Sequence, residues 1–167
     1  FSRQIVVFPL LAVRLSDTDY GTVLTVIGLV NVFVALVGGT LNNIRLIKDT
    51  DYLDFKKKGD FLLLCLIGSV LGCFGCVVLG IVFHISPLTT ATLIGYLIVS
   101  NIYHYAVAYF RLQLNFKRNM VVNILVSLGY IVCCFLFADP QLWPLIFLIG
   151  EAIGVVYTAI VAKFYRE

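Results

Sequence analysis

Long apolar stretches alternate along the chain with short polar turns. Several of them approach or exceed the roughly 20 residues that a helix needs to cross a hydrocarbon core of ~30 Å. The first apolar run is shorter and contains Pro9, which predicts a kink. The pattern predicts an all-α fold, a polytopic membrane helix bundle of six transmembrane helices with the first one truncated. The predicted helices cover about residues 1–15, 20–42, 61–84, 88–112, 119–137 and 142–162.

The second apolar stretch carries small and polar residues on one face. They recur at spacings of three, four and seven, which predicts one side of a single helix for Gly28, Asn31, Ala35, Gly38, Asn42 and Arg45. The other faces are almost wholly Val, Leu, Ile and Phe. A helix that is apolar outside and small or polar within is typical of one that meets lipid on its outside and other helices or water on its inside.

The composition agrees with a membrane location. The chain is 61% hydrophobic and only 13% charged, and its mean hydropathy of +1.03 is far from that of a soluble domain. The net charge of +3 does not indicate nucleic-acid binding, because the basic residues lie in short loops between spans. The five cysteines lie in apolar segments, where packing is the simplest interpretation, and no cofactor or metal is predicted.

The loop charges predict the orientation of the helices. Ten of the twelve Lys and Arg residues follow the second, fourth and sixth helices, namely Arg45, Lys48, Lys56, Lys57, Lys58, Arg111, Lys117, Arg118, Lys163 and Arg166. The opposite loops hold Asp17, Asp19, His84 and Asp139, without Lys or Arg. Because basic loops are retained in the cytoplasm, the N-terminal and C-terminal ends are both predicted to be cytoplasmic.

The chain starts inside its first apolar run and without Met. A cleaved signal peptide would not leave such a short apolar stub behind. We therefore expect Phe1 to lie within a helix whose beginning is missing, and the chain to be a piece of a longer protein.

Polar stripes also run along the last three predicted helices. They consist of Asn101, His104, Ala108 and Arg111 with Tyr105 beside them, of Asn123, Ser127, Tyr130 and Cys134, and of Glu151, Gly154 and Thr158. An ionisable group within hydrocarbon costs roughly 3 kcal/mol or more, so it normally faces a partner or a water-filled cavity. Together with the second helix, these stripes predict a shared hydrated interior.

Several of these polar residues have an equally good structural interpretation. Asn31 and Asn123 are consistent with hydrogen bonds between helices as much as with a cavity. Arg45 and Arg111 lie near cytoplasmic helix ends, where snorkelling to lipid phosphates is the commoner role. Some tyrosines, Tyr96 among them, are consistent with an interfacial aromatic belt.

Arg3 and Glu151 are the strongest functional candidates. Glu151 lies about nine residues into its helix. An arginine from another helix is the partner that would best lower the free-energy cost of burying its carboxylate. Arg3 lies near mid-depth if its helix extends beyond the start of the chain. A functional role is favoured for these two residues, and slightly for Arg14.

Three short motifs at predicted helix ends carry a family resemblance. They are Phe8-Pro9-Leu10-Leu11-Ala12 with Arg14-Leu15 and Asp19-Tyr20-Gly21, then Gly38-Gly39-Thr40-Leu41-Asn42 with Arg45, and then Tyr109-Phe110-Arg111-Leu112 with Asn115 and Lys117. This set resembles bacterial polysaccharide flippases (O-antigen, capsule or exopolysaccharide) of the multidrug/oligosaccharidyl-lipid/polysaccharide exporter superfamily. The Tyr-Gly turn is its most specific part.

The resemblance implies a transporter and not an enzyme. Its fold would be two six-helix lobes around a central cavity, with residues 1–167 as the N-terminal lobe and the second lobe absent from this chain. It would move an undecaprenyl-diphosphate-linked oligosaccharide from the cytoplasmic to the outer leaflet of the bacterial cytoplasmic (inner) membrane, for cell-surface polysaccharide such as lipopolysaccharide. The implied partners are that lipid-linked oligosaccharide, membrane lipid and glycan polymerases or glycosyltransferases.

The resemblance also implies a set of site residues. Diphosphate or sugar contacts would come from Arg3, Arg14, Arg45 and Arg111, and sugar contacts from Asn31, Asn42, Asn101 and Tyr105. Glu151 would pair with an arginine or carry a coupling proton. One lobe alone is not expected to transport.

Three other functions remain open from the sequence. A MATE-type drug or cation antiporter of the same superfamily would want acidic cavity residues, whereas Glu151 is the only carboxylate within the predicted spans. A membrane-embedded enzyme would want clustered carboxylates on a substantial loop. A non-catalytic scaffold of a glycan-assembly complex is opposed only moderately by intramembrane Arg and Glu residues.

Overall fold

The computed structural model describes residues 3–51, 59–137 and 139–164. Every regular element within these ranges is helical, so the predicted all-α polytopic bundle is confirmed. We number six helices, from a first one made of a π-helical turn and a short α-helix to a last one that follows a 3₁₀ turn at Pro140–Leu142. They are α1 (Arg3–Val7 and Phe8–Arg14), α2 (Asp17–Val34, Ala35–Thr40 and Leu41–Asp51), α3 (Gly59–Val82), α4 (Pro87–Leu112), α5 (Phe116–Leu136) and α6 (Trp143–Phe164).

Five of these helices are long and apolar enough to cross a membrane. The spans are Asp17–Ile47, Leu63–Val82, Pro87–Leu112, Phe116–Leu136 and Trp143–Val161. Their outward faces carry large exposed apolar side chains such as Leu71, Phe74 and Ile81 on α3. Such faces are stable against lipid and costly against water. The chain is therefore a multi-pass membrane protein.

Polar side chains begin most of the helices. Ser16 accepts a hydrogen bond from the Asp19 amide at 3.2 Å, and Ser86 accepts one from the Thr89 amide at 3.2 Å. Asn115 caps α5 in the same way, through the Arg118 amide at 3.3 Å. These caps satisfy backbone N–H groups that a helix start leaves without partners, which lets turns of only a few residues join long helices.

The helix α4 is the centre of the bundle, and α6 packs most extensively against it and against α5. Small residues make this close approach possible. A Cβ built on Gly154 would lie 2.6 Å from Cε2 of Tyr103 on α4 and 2.7 Å from Cγ2 of Val126 on α5. Gly154 therefore lies at a point where α6 packs closely against both neighbours.

The structure differs from the sequence-based expectation along α2. The helix continues to Asp51 instead of ending near residue 42, because polar and apolar residues keep alternating at helical spacing beyond Asn42. Within the π-helical stretch Ala35–Thr40 there are more residues per turn than in an α-helix, so spacings of three and four do not mark one face there. Gly28, which precedes this stretch, is exposed, whereas Gly38 and Asn42 are buried. The predicted basic residues Lys56–Lys58 lie outside the described residues.

We expect Gly154→Ala to destabilise the protein by about 2 kcal/mol, because the added methyl group overpacks a contact that two buried side chains already fill. The measurement is the thermal unfolding of the intact protein purified in detergent. The matched control is Gly28→Ala, where an added Cβ meets nothing within 4 Å and the stability should be unchanged or slightly higher. Equal effects of the two substitutions would contradict the packing argument.

Candidate functional site

An ion pair lies within the membrane-spanning part of the bundle. Arg3, from the π-helical turn of α1, donates through its Nη2 to Oε1 of Glu151 on α6. The Glu151 side chain is fully buried, whereas 27% of the Arg3 side chain remains exposed. A pair of opposite charges removes most of the cost that either charge alone would have in hydrocarbon.

Two tyrosines and an asparagine extend this pair into a network. Tyr130 of α5 accepts from the Nη2 of Arg3 and donates to Oε1 of Glu151 at 3.0 Å. Tyr96 of α4 accepts from Arg3 Nη1 at 3.1 Å and donates to Oδ1 of Asn31 on α2 at 2.9 Å. Five of the six helices therefore meet through one chain of hydrogen bonds.

Aromatic rings enclose the Arg3 guanidinium. Its Cζ lies 4.9 Å from the ring centroid of Tyr130, 5.4 Å from that of Phe147 and 5.9 Å from that of Tyr96. Phe147 in turn packs edge-on against Trp143 at 6.2 Å. The negative faces of the rings stabilise the cation where water is scarce, so the site favours a permanent positive charge at Arg3.

The second oxygen of Glu151 has no hydrogen-bond partner among the described residues. Both Glu151 Oε2 and the Ser100 hydroxyl are buried in this position. The Ser100 hydroxyl lies near the Glu151 carboxylate. The site thus keeps one buried acceptor for a proton, a water molecule or a ligand donor.

Asn101 and Asn42 make hydrogen bonds outside this network. Asn101 Nδ2 donates to the Ser69 hydroxyl of α3 at 3.0 Å, and that hydroxyl donates to the Cys65 carbonyl at 2.8 Å. Asn42 Nδ2 donates to the Gly38 carbonyl within the π-helical stretch of α2. The Asn101–Ser69 bond joins α4 to α3, as interhelical hydrogen bonds do in membrane proteins, whereas the Asn42 bond lies within α2.

Three further arginines lie away from the Arg3 network. Arg45 Cζ stacks 4.4 Å from the Tyr105 ring centroid, and its Nη1 lies 3.4 Å from the Tyr105 carbonyl oxygen. Arg111 is exposed in the last turn of α4. Arg14 donates from Nη1 to the carbonyls of Cys134 at 2.6 Å and Phe137 at 3.2 Å, which satisfies the end of α5.

The structure therefore brings together only some of the site residues that the sequence predicts. Arg3, Asn31 and Glu151 meet in one network, whereas Arg14, Asn42, Arg45, Asn101, Tyr105 and Arg111 lie elsewhere in the fold. The substrate-contact roles implied for all of these residues remain predictions. Within the described ranges, no group of three or more His, Cys, Asp or Glu side chains is placed to hold a metal ion.

Sequence reasoning missed two members of the network. Tyr96, which by sequence is consistent with an interfacial aromatic belt, is fully buried, and the sequence does not indicate the role of the equally buried Phe147. Tyr96 lies one helical turn before Ser100 on the face of α4 that meets Glu151, a spacing that could have marked it. Phe147 carries no comparable signal, because a phenylalanine in an apolar span usually faces lipid or the core.

Comparison of the chain with models of known protein families, with curated proteins and with solved structures finds no match. The chemistry of the Arg3 network is therefore the basis for any inference about function.

We expect Glu151→Gln to lower the stability by about 3 kcal/mol, because it leaves the Arg3 charge among aromatic rings without its counter-charge. That value is at the lower end for a broken buried pair, since Arg3 is partly exposed. The double variant Arg3→Gln/Glu151→Gln should recover much of the loss, because both charges are gone. Thermal unfolding in detergent of the wild type, of the single variants Arg3→Gln and Glu151→Gln and of the double variant gives the coupling energy, and strictly additive losses would contradict the pairing.

Proposed function

We propose that this chain forms one lobe of a transporter that moves an undecaprenyl-diphosphate-linked oligosaccharide across the bacterial cytoplasmic membrane. The observation that carries the proposal is the Arg3 network. An ionisable residue within a membrane span is expensive, so it is a functional-site hypothesis by default. The function is a transport step, without chemistry on the substrate.

The geometry of Arg3 supports an anionic substrate. Its side chain is partly exposed, and guanidinium groups bind phosphate oxygens through a planar fork of donors. Tyr96, Tyr130 and Asn31 place hydroxyl and amide groups beside the cation, and these groups suit sugar hydroxyls. A diphosphate would compete with Glu151 for Arg3, which offers a way to bind the substrate and later release it.

The charge distribution supports an orientation. The basic residues Arg45 and Arg111 lie towards one end of α2 and α4, and the acidic residues Asp19 and Asp139 lie at the opposite end. We assign the basic end to the cytoplasm, where the lipid-linked substrate is made, and the acidic end to the outside. Glycan polymerases or glycosyltransferases are the proposed neighbours.

One observation favours a rival function. Glu151 Oε2 is buried and has no hydrogen-bond partner in the part of the chain that the structure describes, so it is available for a proton or a cationic ligand. That feature suits a drug or cation antiporter, in which a buried carboxylate exchanges protons against cations. The positive charge of the neighbouring Arg3 disfavours the antiporter, because a cationic ligand would have to bind within a few ångströms of a guanidinium.

The experiment uses cells in which the gene is deleted and replaced by the intact coding sequence. Arg3→Gln/Glu151→Gln is the informative variant, because it removes both charges and should therefore remain folded. We expect it to lose surface glycan and to accumulate lipid-linked oligosaccharide in the inner leaflet at unchanged protein level. The control is Gly28→Ala, which should export glycan normally.

Normal glycan export by the double variant would show that the ion pair is only structural. Normal glycan export in the full deletion would overturn the flippase proposal. In that case, a loss of resistance to cationic compounds in the Glu151→Gln cells would favour the antiporter.

A further inference from the structure

The turn between α4 and α5 combines a strained backbone with exposed apolar side chains. Leu114 has a φ of 53°, a left-handed conformation that is uncommon for any residue but glycine. It closes α4, because the Asn115 amide bonds the Phe110 carbonyl at 2.9 Å. The side chain of Leu114 is 72% exposed and that of Phe116 is 70% exposed.

Cations flank this apolar pair. Arg111 precedes it on the last turn of α4, and Lys117 follows it on the first turn of α5, and both side chains are exposed. The sequence from residue 61 to residue 138 contains no Asp or Glu that could neutralise them locally. The whole basic end is also cationic by sequence, with ten Lys and Arg residues against five Asp and Glu residues.

The turn between α4 and α5 lies at the membrane surface. The spans Pro87–Leu112 and Phe116–Leu136 stop on either side of it, so residues 113–115 lie at the boundary between hydrocarbon and water. A turn of three residues is too short to leave that boundary. Side chains of Leu and Phe reach the acyl region there, while Lys and Arg extend to the level of the phosphates.

The turn between α3 and α4, at the opposite end of the bundle, provides an internal comparison. His84 has a φ of 51°, and the Ile85 amide bonds the Gly80 carbonyl at 2.9 Å, so the two turns share one backbone motif. Histidine is among the residues that adopt this conformation more readily, and no Lys or Arg lies nearby in sequence. The helix end at His84 therefore shows that this backbone motif forms without an exposed leucine and without flanking Lys or Arg residues.

We propose that the α4–α5 turn is a docking surface for an anionic phospholipid of the leaflet at the basic end. Leu114 and Phe116 insert between acyl chains, and Arg111 and Lys117 bind the phosphate of the headgroup. The left-handed backbone at Leu114 turns its side chain outwards into the lipid. This surface is separate from the Arg3 network and does not depend on the transported substrate.

The test measures the binding of phosphatidylglycerol and of neutral phosphatidylcholine to the intact protein by native mass spectrometry. We expect the wild type to prefer phosphatidylglycerol, and Arg111→Gln/Lys117→Gln to weaken that binding by roughly thirtyfold, or about fivefold for each cation. Gln113→Ala is the control, since it changes the same turn without changing its charge, and it should leave the preference intact.

A second pair of variants tests the apolar part. Leu114→Gly and His84→Gly both place glycine at a left-handed position, so both are compatible with the backbone. Only Leu114→Gly should weaken phosphatidylglycerol binding, because only that substitution removes a group that inserts into lipid.

Three results would overturn the proposal. The first is equal binding of the two lipids by the wild type. The second is an unchanged preference in Arg111→Gln/Lys117→Gln or, if that variant does not fold, in Lys117→Gln alone. The third is displacement of phosphatidylglycerol by excess inorganic phosphate, which would indicate an anion site and not a lipid-docking surface.

Discussion

A carboxylate and a guanidinium inside hydrocarbon cannot each be solvated by water, and this constraint shapes the centre of the bundle. Glu151 is fully buried, so its charge has to be met by the protein itself. Arg3 meets it, and the tyrosines of α4 and α5 take up the remaining donors of the guanidinium. The residues of this network come from five helices. The hydrogen bonds that stabilise the Glu151 charge therefore also fix the relative positions of those helices.

The same constraint explains how α1 is attached. This helix is short, and among its described residues only Val7 and Leu11 are buried. Most of its specific contacts come from two arginines, with Arg3 bound to Tyr130 and Glu151 and Arg14 bound to the last carbonyls of α5. In lipid there is little hydrophobic drive between apolar helix faces, so polar contacts of this kind decide which helices associate.

The sequence was a good guide to the helices and a partial guide to the site. Apolar run lengths located all six helices to within a few residues, except the extended end of α2, because hydrocarbon thickness leaves little freedom. The cost of burying Glu151 also pointed to an arginine on another helix, and the structure places Arg3 there. The shared face predicted on α2 holds only in part: Asn31 and Arg45 contact α4, whereas Gly28 and Ala35 are exposed.

Two other features lay beyond sequence reasoning. Arg14 satisfies the end of α5, a role that requires knowing which helix end lies beside α1. Tyr96 is buried although its residue type is equally common at the membrane surface. Both depend on contacts between helices far apart in sequence, which the local pattern of a single chain does not contain.

The π-helical stretch Ala35–Thr40 divides α2 into two α-helical halves. The first half presents Asn31 to Tyr96, and the second half presents Arg45 to Tyr105 of the same neighbouring helix, α4. A π-helical turn corresponds to one extra residue within an α-helix. Because the wider turn takes up the extra residue locally, the α-helix resumes at Leu41 without the rotation of about 100° that an added residue would otherwise cause. The contact of Arg45 with the Tyr105 ring therefore depends on this wide turn as well as on the two residues that make it.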